Sequence, residues 1–65
     1  MQLTINGEQH DVQSKTVGTV LTEIGMDQGP CAVEVNRTLV PAKSRDVHKL
    51  ENGDVLEIVT LVGGG

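Results

Sequence analysis

The sequence contains no phenylalanine, tyrosine or tryptophan. A core without aromatic rings must be built from Val, Leu, Ile, Met and Ala, and in a chain of 65 residues it is thin. Base stacking on aromatic side chains is also excluded. Five Lys and Arg against nine Asp and Glu give a net charge of −4, which repels phosphate backbones. The composition therefore disfavours nucleic-acid binding.

Cysteine and histidine are scarce as well. Cys31 is the single cysteine, so an internal disulfide cannot form and a reducing compartment is the simplest setting. His10 and His48 have no second His or Cys at metal-ligand spacing. No apolar stretch is long enough to span a bilayer, and no secretory signal is visible. We therefore expect a cytoplasmic protein that needs no metal or other cofactor and does not bind a membrane.

A β-hairpin is predicted at the start of the chain. Apolar and polar residues alternate from Met1 to Asn6, which is the period of a half-buried strand. Asn6-Gly7 follows at once, and Asn-Gly between extended segments is a strong hairpin signal. The returning segment, residues 8–13, is polar apart from Val12. This pattern predicts an edge strand that contributes Val12 to the core.

A short helix is predicted after the hairpin. Thr16 can cap a helix that begins at Val17. Apolar residues recur at helical spacing along one face, namely Val17, Val20, Leu21 and Ile24. Gly25 follows where a C-terminal glycine belongs. A helix this short is marginal by itself, so it needs a sheet to pack on.

Three further strands are predicted in the second half of the chain. Apolar and polar residues alternate from Cys31 to Asn36, which places the thiol of Cys31 on the core face as an inert buried group. Leu39-Val40 is a short strand that Pro41 ends, and residues 42–50 form a mixed loop. The segment 55–62 is the most apolar of all, which favours a central position in the sheet.

This order of elements predicts an α+β domain in which one helix covers one face of a sheet. Val55, Val59 and Leu61 then lie on the other face without an internal partner. An apolar patch of this kind is a candidate docking surface for a partner protein. The alternative is that loop residues such as Leu50 cover part of the patch.

The chain finishes with Gly63, Gly64 and Gly65. Three extended glycines span about 10 Å and present no side chain to the walls of a channel. Such a segment suits entry into a narrow active site, whereas the alternative is a frayed end. We expect a folded domain at residues 1–62 followed by a flexible glycine tail at residues 63–65.

Several segments, taken together in this order, resemble the ThiS family of sulfur carriers in thiamine biosynthesis. The segments are Leu3–Glu8, Thr16–Val17, Ala32–Asn36, Leu39–Pro41, Asn52–Val59 and Val62–Gly65. The resemblance covers essentially the whole chain. It implies the ubiquitin-like β-grasp fold, a mixed sheet of four to five strands with one helix on one face. Arg37 departs from the pattern, because the family often has glycine at this turn.

The resemblance also implies a chemical role for Gly65. In the family, an ATP-dependent enzyme related to ubiquitin activators adenylates the terminal glycine, and a sulfur donor such as a cysteine desulfurase then supplies sulfur. The resulting thiocarboxylate serves a thiazole synthase. By this likeness Gly65 carries the thiocarboxylate, while Gly63 and Gly64 thread into the partners' active sites. The chain is expected to be a carrier rather than an enzyme, without a catalytic residue of its own.

Three alternatives share the same tail or the same fold. The small subunit of a molybdopterin synthase uses a similar tail and activation, but its chains are usually longer and richer in aromatic residues. A ubiquitin-like modifier would join its terminus to lysines. A plain β-grasp interaction module would have a tail without function.

Overall fold

The computed structural model describes residues 1–61, which form a five-stranded sheet. The strands are β1 (Gln2–Ile5), β2 (Glu8–Asp11), β3 (Cys31–Val35), β4 (Thr38–Val40) and β5 (Val55–Thr60). Their order across the sheet is β2-β1-β5-β3-β4. β1 and β5 are parallel and the other neighbours are antiparallel. The predicted α+β class and mixed sheet are therefore confirmed, with β2 at an edge and β5 in the centre.

The single α-helix of the described chain, α1 (Val17–Glu23), begins where its cap was predicted. The Thr16 hydroxyl accepts a hydrogen bond from the Thr19 backbone N–H, and the Thr19 hydroxyl accepts one from the Thr16 N–H. This reciprocal pair satisfies two donors that a helix N-terminus otherwise leaves free. Ile24 is the C-terminal cap and is only partly buried against the core.

Gly18 lies inside α1, where glycine costs somewhat under 1 kcal/mol relative to alanine. Its backbone N–H donates to the Arg45 carbonyl at 2.9 Å, and a Cβ at this position would run into the Asp46 carboxylate. The loop that follows the 3-10 turn at Ala42–Ser44 thus packs directly on the helix backbone. A Cβ at residue 18 would therefore require the Asp46 side chain to move.

The core lies between α1 and one face of the sheet. It consists of thirteen buried apolar side chains: Leu3, Ile5, Val12, Val17, Val20, Leu21, Cys31, Val33, Val35, Val40, Leu50, Leu56 and Ile58. Leu50 joins this cluster at 6 % exposure, and its N–H donates to the Lys15 carbonyl just before the helix. Leu50 therefore contributes to the core rather than covering the opposite face of the sheet.

The turn between β3 and β4 places two consecutive residues in the left-handed region, Asn36 at φ +49° and Arg37 at φ +71°. Asparagine tolerates this conformation, but a residue with a long side chain is strained there. Relief of this strain in Arg37→Gly should raise the free energy of unfolding by about 1 kcal/mol. The entropy that glycine adds to the unfolded chain offsets part of this gain. Urea unfolding measures the change. Arg37→Ala removes the same charge without relieving the backbone, so equal stabilisation by both variants would contradict the explanation.

Glu23 at the end of α1 binds the segment that precedes the helix. Its carboxylate accepts from the Gln13 N–H at 2.9 Å and from the Ser14 N–H at 2.8 Å. The Ser14 hydroxyl, together with these two N–H groups, holds the pKa of the Glu23 carboxyl below its usual range. Because the folded pKa is depressed, the stabilisation is present above the unfolded pKa and is lost as pH falls through the folded pKa.

We therefore expect Glu23→Gln to lower the thermal unfolding temperature at neutral pH. As the pH is lowered, the unfolding temperature of this variant should fall less than that of the parent protein. Thermal unfolding followed by circular dichroism over a series of pH values checks both effects. Glu51→Gln removes the same charge from another exposed side chain and serves as the control. An acid decline that is as steep in Glu23→Gln as in the parent protein would refute the assignment.

Candidate functional site

The sheet has one face that α1 does not cover, which we call the open face. Residues that alternate with buried neighbours place several side chains on it, among them Glu34, Leu39, Val55, Glu57 and Val59. The predicted docking residues Val55 and Val59 are 43 % and 59 % exposed, and Leu61, just beyond β5, is 50 % exposed. The exposure of all three matches the sequence analysis, while their role in docking stays a prediction.

Two asparagine side chains fix β5 from either side. Asn6 brackets Ile58, donating from Nδ2 to its carbonyl at 3.0 Å and accepting from its N–H at 2.7 Å. Asn36 accepts from the Val55 N–H at 3.0 Å through Oδ1, and its own N–H donates to the Val55 carbonyl at 2.7 Å. The sequence pattern places Asn6 and Asn36 at the ends of predicted strands and does not indicate these contacts. Pairing of this kind depends on contacts far apart in the chain, which local patterns do not reveal.

Strand pairing and backbone hydrogen bonds hold β5 against its neighbours up to the last described residue. Cys31 is the register partner of Thr60, and the Leu61 N–H donates to the Pro30 carbonyl at 2.9 Å. Gly65 follows Leu61 by four residues, a reach of at most about 14 Å. Gly63, Gly64 and Gly65 lie outside the described residues, as does the predicted domain boundary after residue 62. Their roles remain predictions.

Cys31 is buried at 9 % exposure, as the alternation of β3 predicted. Arg45 covers it, donating from Nη2 to the Cys31 carbonyl at 2.6 Å and placing Nη1 at 3.6 Å from Sγ. The guanidinium thus anchors the loop after β4 to the start of β3. The burial of the thiol suits a structural role, because a sulfur-bearing nucleophile must be accessible.

Residues 1–61 contain no cluster of His, Cys, Asp and Glu side chains that could hold a metal ion. In the same part of the chain, no helix has the length and apolar character needed to cross a membrane.

Comparison with known proteins identifies the family. The model of the ThiS family matches residues 3–65. The chain belongs to the ThiS family. A sulfur carrier protein ThiS from Thermus thermophilus is 34 % identical over 61 residues, covering 94 % of this chain and 95 % of that protein.

A second relative is a longer protein. A thiazole synthase from Paramagnetospirillum magneticum is 44 % identical over 66 residues, which cover all of this chain but 20 % of that protein. This ThiS-family chain therefore spans about a fifth of the length of that relative.

Solved structures agree with the fold. A crystal structure of the thiamine biosynthesis protein ThiS from Geobacter metallireducens matches with a TM-score of 0.83 and 28 % identity, covering the whole of both chains. A solution structure of a thiamine biosynthesis protein from the same organism matches with a TM-score of 0.77 and 28 % identity, covering 100 % of this chain and 88 % of that one. The β-grasp fold implied by the resemblance is confirmed.

Proposed function

We propose that this ThiS-family protein is a sulfur carrier of thiamine biosynthesis and that the carboxylate of Gly65 is its reactive group. The observation that carries the proposal is the family match, which extends through residues 3–65 and so includes all three final glycines. The relative from Thermus thermophilus, named as a sulfur carrier, matches over nearly its full length and supports the same function.

The proposed chemistry follows from the poor reactivity of a carboxylate. An oxygen of the Gly65 carboxylate attacks the α-phosphorus of ATP, and pyrophosphate leaves. The product is an acyl adenylate, in which AMP is a good leaving group. A sulfur nucleophile then attacks the carbonyl carbon and displaces AMP. Where the donor is a persulfide, a thiol must also reduce its S–S bond to release the thiocarboxylate.

The described residues support this proposal through the rigid strand that precedes the terminus. β5 lies in the centre of the sheet, and hydrogen bonds hold it up to Leu61. A rigid strand limits the volume that the following residues explore, which favours productive encounters with an active site. The open face beside it offers Val55, Val59 and Leu61 for docking. In this proposal the protein positions its C-terminal carboxylate, and its partner enzymes catalyse the reactions.

Three partners follow from this proposal. An adenylating enzyme of the ubiquitin-activator type forms the acyl adenylate, a sulfur donor such as a cysteine desulfurase supplies sulfur, and a thiazole synthase receives it. The third assignment has direct support, because one protein named thiazole synthase contains a stretch similar to this entire chain. A carrier and an acceptor enzyme that share one polypeptide would have no need to find each other by diffusion.

Intact-protein mass spectrometry of the chain purified from its host tests the proposal. Replacement of one oxygen by sulfur at the C-terminus is the expected result. Adducts linked to lysine would favour a ubiquitin-like modifier instead, and an unmodified chain that no adenylating enzyme accepts would leave only an interaction module. Co-purification then separates the sulfur-carrier branches, since a thiazole synthase is expected and the large subunit of a molybdopterin synthase would overturn the thiamine assignment.

A further inference from the structure

The start of β3 has a neighbouring strand on one side only. β4 pairs with β3 from Val33 to Val35, and Pro41 follows the last residue of β4. Continued in the same register, β4 would place residue 42 opposite Cys31, but Ala42–Ser44 form the 3-10 turn instead. In the described chain, the outer side of β3 therefore has no strand beside Cys31.

The backbone carbonyl of Cys31 faces this outer side. The Leu61 N–H donates to the Pro30 carbonyl at 2.9 Å, so Cys31 and Thr60 form the type of antiparallel pair that exchanges no hydrogen bond. In such a pair, the polar backbone groups of each residue point away from the partner strand. The Cys31 carbonyl thus needs a donor from outside the β3–β5 pair.

Arg45 supplies that donor. Its Nη2 lies 2.6 Å from the Cys31 carbonyl oxygen. The Arg45 backbone is itself fixed, because its carbonyl accepts from the Gly18 N–H of α1 at 2.9 Å. The guanidinium therefore takes the place of the missing strand and links the start of β3 to the helix.

The placement of the guanidinium is energetically costly in other respects. Within residues 1–61, Arg45 makes no salt bridge and its Nε is buried without a hydrogen-bond partner. Burying part of a charged group without a carboxylate costs free energy. An apolar side chain of similar length would fill the same space without this cost. The hydrogen bond to the Cys31 carbonyl is thus what arginine adds at this position.

We propose that Arg45 is a positioning residue for the reactive terminus and acts through the start of β3. Cys31, which Arg45 holds, is the register partner of Thr60. The preceding residue, Pro30, binds the N–H of Leu61. The inference rests on the proposed function, in which the C-terminal carboxylate has to reach an active site.

Loss of the guanidinium moves the fixed origin of the terminus back along β5. The first position at which β3 has strands on both sides is Val33, which pairs with Val40 and with Ile58. The distance along the chain to Gly65 then grows from four residues after Leu61 to seven residues after Ile58. The effective concentration of a tethered group falls roughly as the −3/2 power of tether length, which here gives a loss of about twofold.

Amide hydrogen exchange followed by NMR tests the structural step. In Arg45→Met the Leu61 N–H should exchange at least about tenfold faster, the loss expected for one hydrogen bond from a charged donor. The Asn6 N–H, which donates to the Leu56 carbonyl at 3.0 Å near the other end of β5, should keep its rate. Lys43→Met removes an exposed cation from the same 3-10 turn and should change neither rate.

Steady-state kinetics of adenylation test the consequence for the terminus. With the adenylating enzyme from the same host, Arg45→Met should lower kcat of ATP–pyrophosphate exchange about twofold. KM should not change, because the substitution alters only how the terminus is placed. Arg45→Lys keeps one donor for the Cys31 carbonyl, so it should recover part of the Leu61 protection and part of kcat.

The two measurements separate positioning from general stability. An unchanged Leu61 amide rate in Arg45→Met overturns the inference, and so does an equal acceleration at Leu61 and Asn6, which would report a general loss of stability. A faster Leu61 amide with unchanged kcat overturns the positioning role. If the parent protein supports no pyrophosphate exchange, the proposed function fails, and the role of Arg45 in it fails as well.

Discussion

Gly64→Val should abolish adenylation of the chain while leaving its fold intact. In the proposed mechanism, valine adds a branched side chain next to the reactive carboxylate and restricts the backbone of a residue that has to enter a narrow active site. Displacement of a reacting group by about 1 Å costs on the order of a hundredfold in rate, and exclusion from the channel costs more. We therefore expect ATP–pyrophosphate exchange to fall at least about a hundredfold in kcat/KM, and Gly65→Val to behave in the same way.

The control places the same side chain elsewhere in the molecule. Thr38→Val on the edge strand β4 changes an exposed, β-branched residue into valine at nearly constant volume. It should support normal exchange. All three variants should unfold at the temperature of the parent protein, because none of them replaces a residue of the described core. Normal exchange with Gly64→Val or Gly65→Val would remove the terminus from the proposed mechanism.

Leu56→Ala should unfold a large share of the protein. Leu56 has no exposed surface, lies on the central strand β5, and is paired with Ile5 on one side and Val35 on the other. Truncating a buried leucine leaves a cavity and costs about 2–5 kcal/mol. A domain of this size has a total stability of about 3–10 kcal/mol at the usual value per residue. The loss is thus comparable to the whole stability.

Leu39→Ala is the matched control, because it removes the same atoms from a side chain that is 60 % exposed. Its free energy of unfolding should stay within about 0.5 kcal/mol of the parent value. Urea unfolding measures both variants, with equal m-values showing that the same transition is compared. A Leu56→Ala protein as stable as Leu39→Ala would mean that the core is not organised around β5.

Local patterns predicted most of the fold. Alternation located the core residues of β1, β3 and β5, and the cap at Thr16 located the start of α1. The last strand ends at Thr60 in the described chain, two residues before the predicted end. Its end is defined by hydrogen bonds to neighbouring strands, whereas apolar character continues into Leu61 and Val62.

The site was predicted less completely, because its features are created by strand register. The sequence placed Val55, Val59 and Leu61 on a free face, and the structure exposes them. It did not reveal that Glu34 and Glu57 are neighbours, since 23 positions separate them along the chain. The packing of the Asp46 loop on Gly18 was hidden for the same reason. Contacts between distant segments have no signature in a short window of sequence.

The parallel pairing of the first strand with the last has a consequence for folding during synthesis. Asn6 bonds to Ile58, 52 positions further along the chain, and β5 supplies the centre of the sheet. Long-range pairings of this kind form late, because a long loop must close before they are made. A nascent chain therefore lacks its central strand until residues 55–60 have been synthesised. We therefore expect the sheet to close only after β5 has left the ribosome.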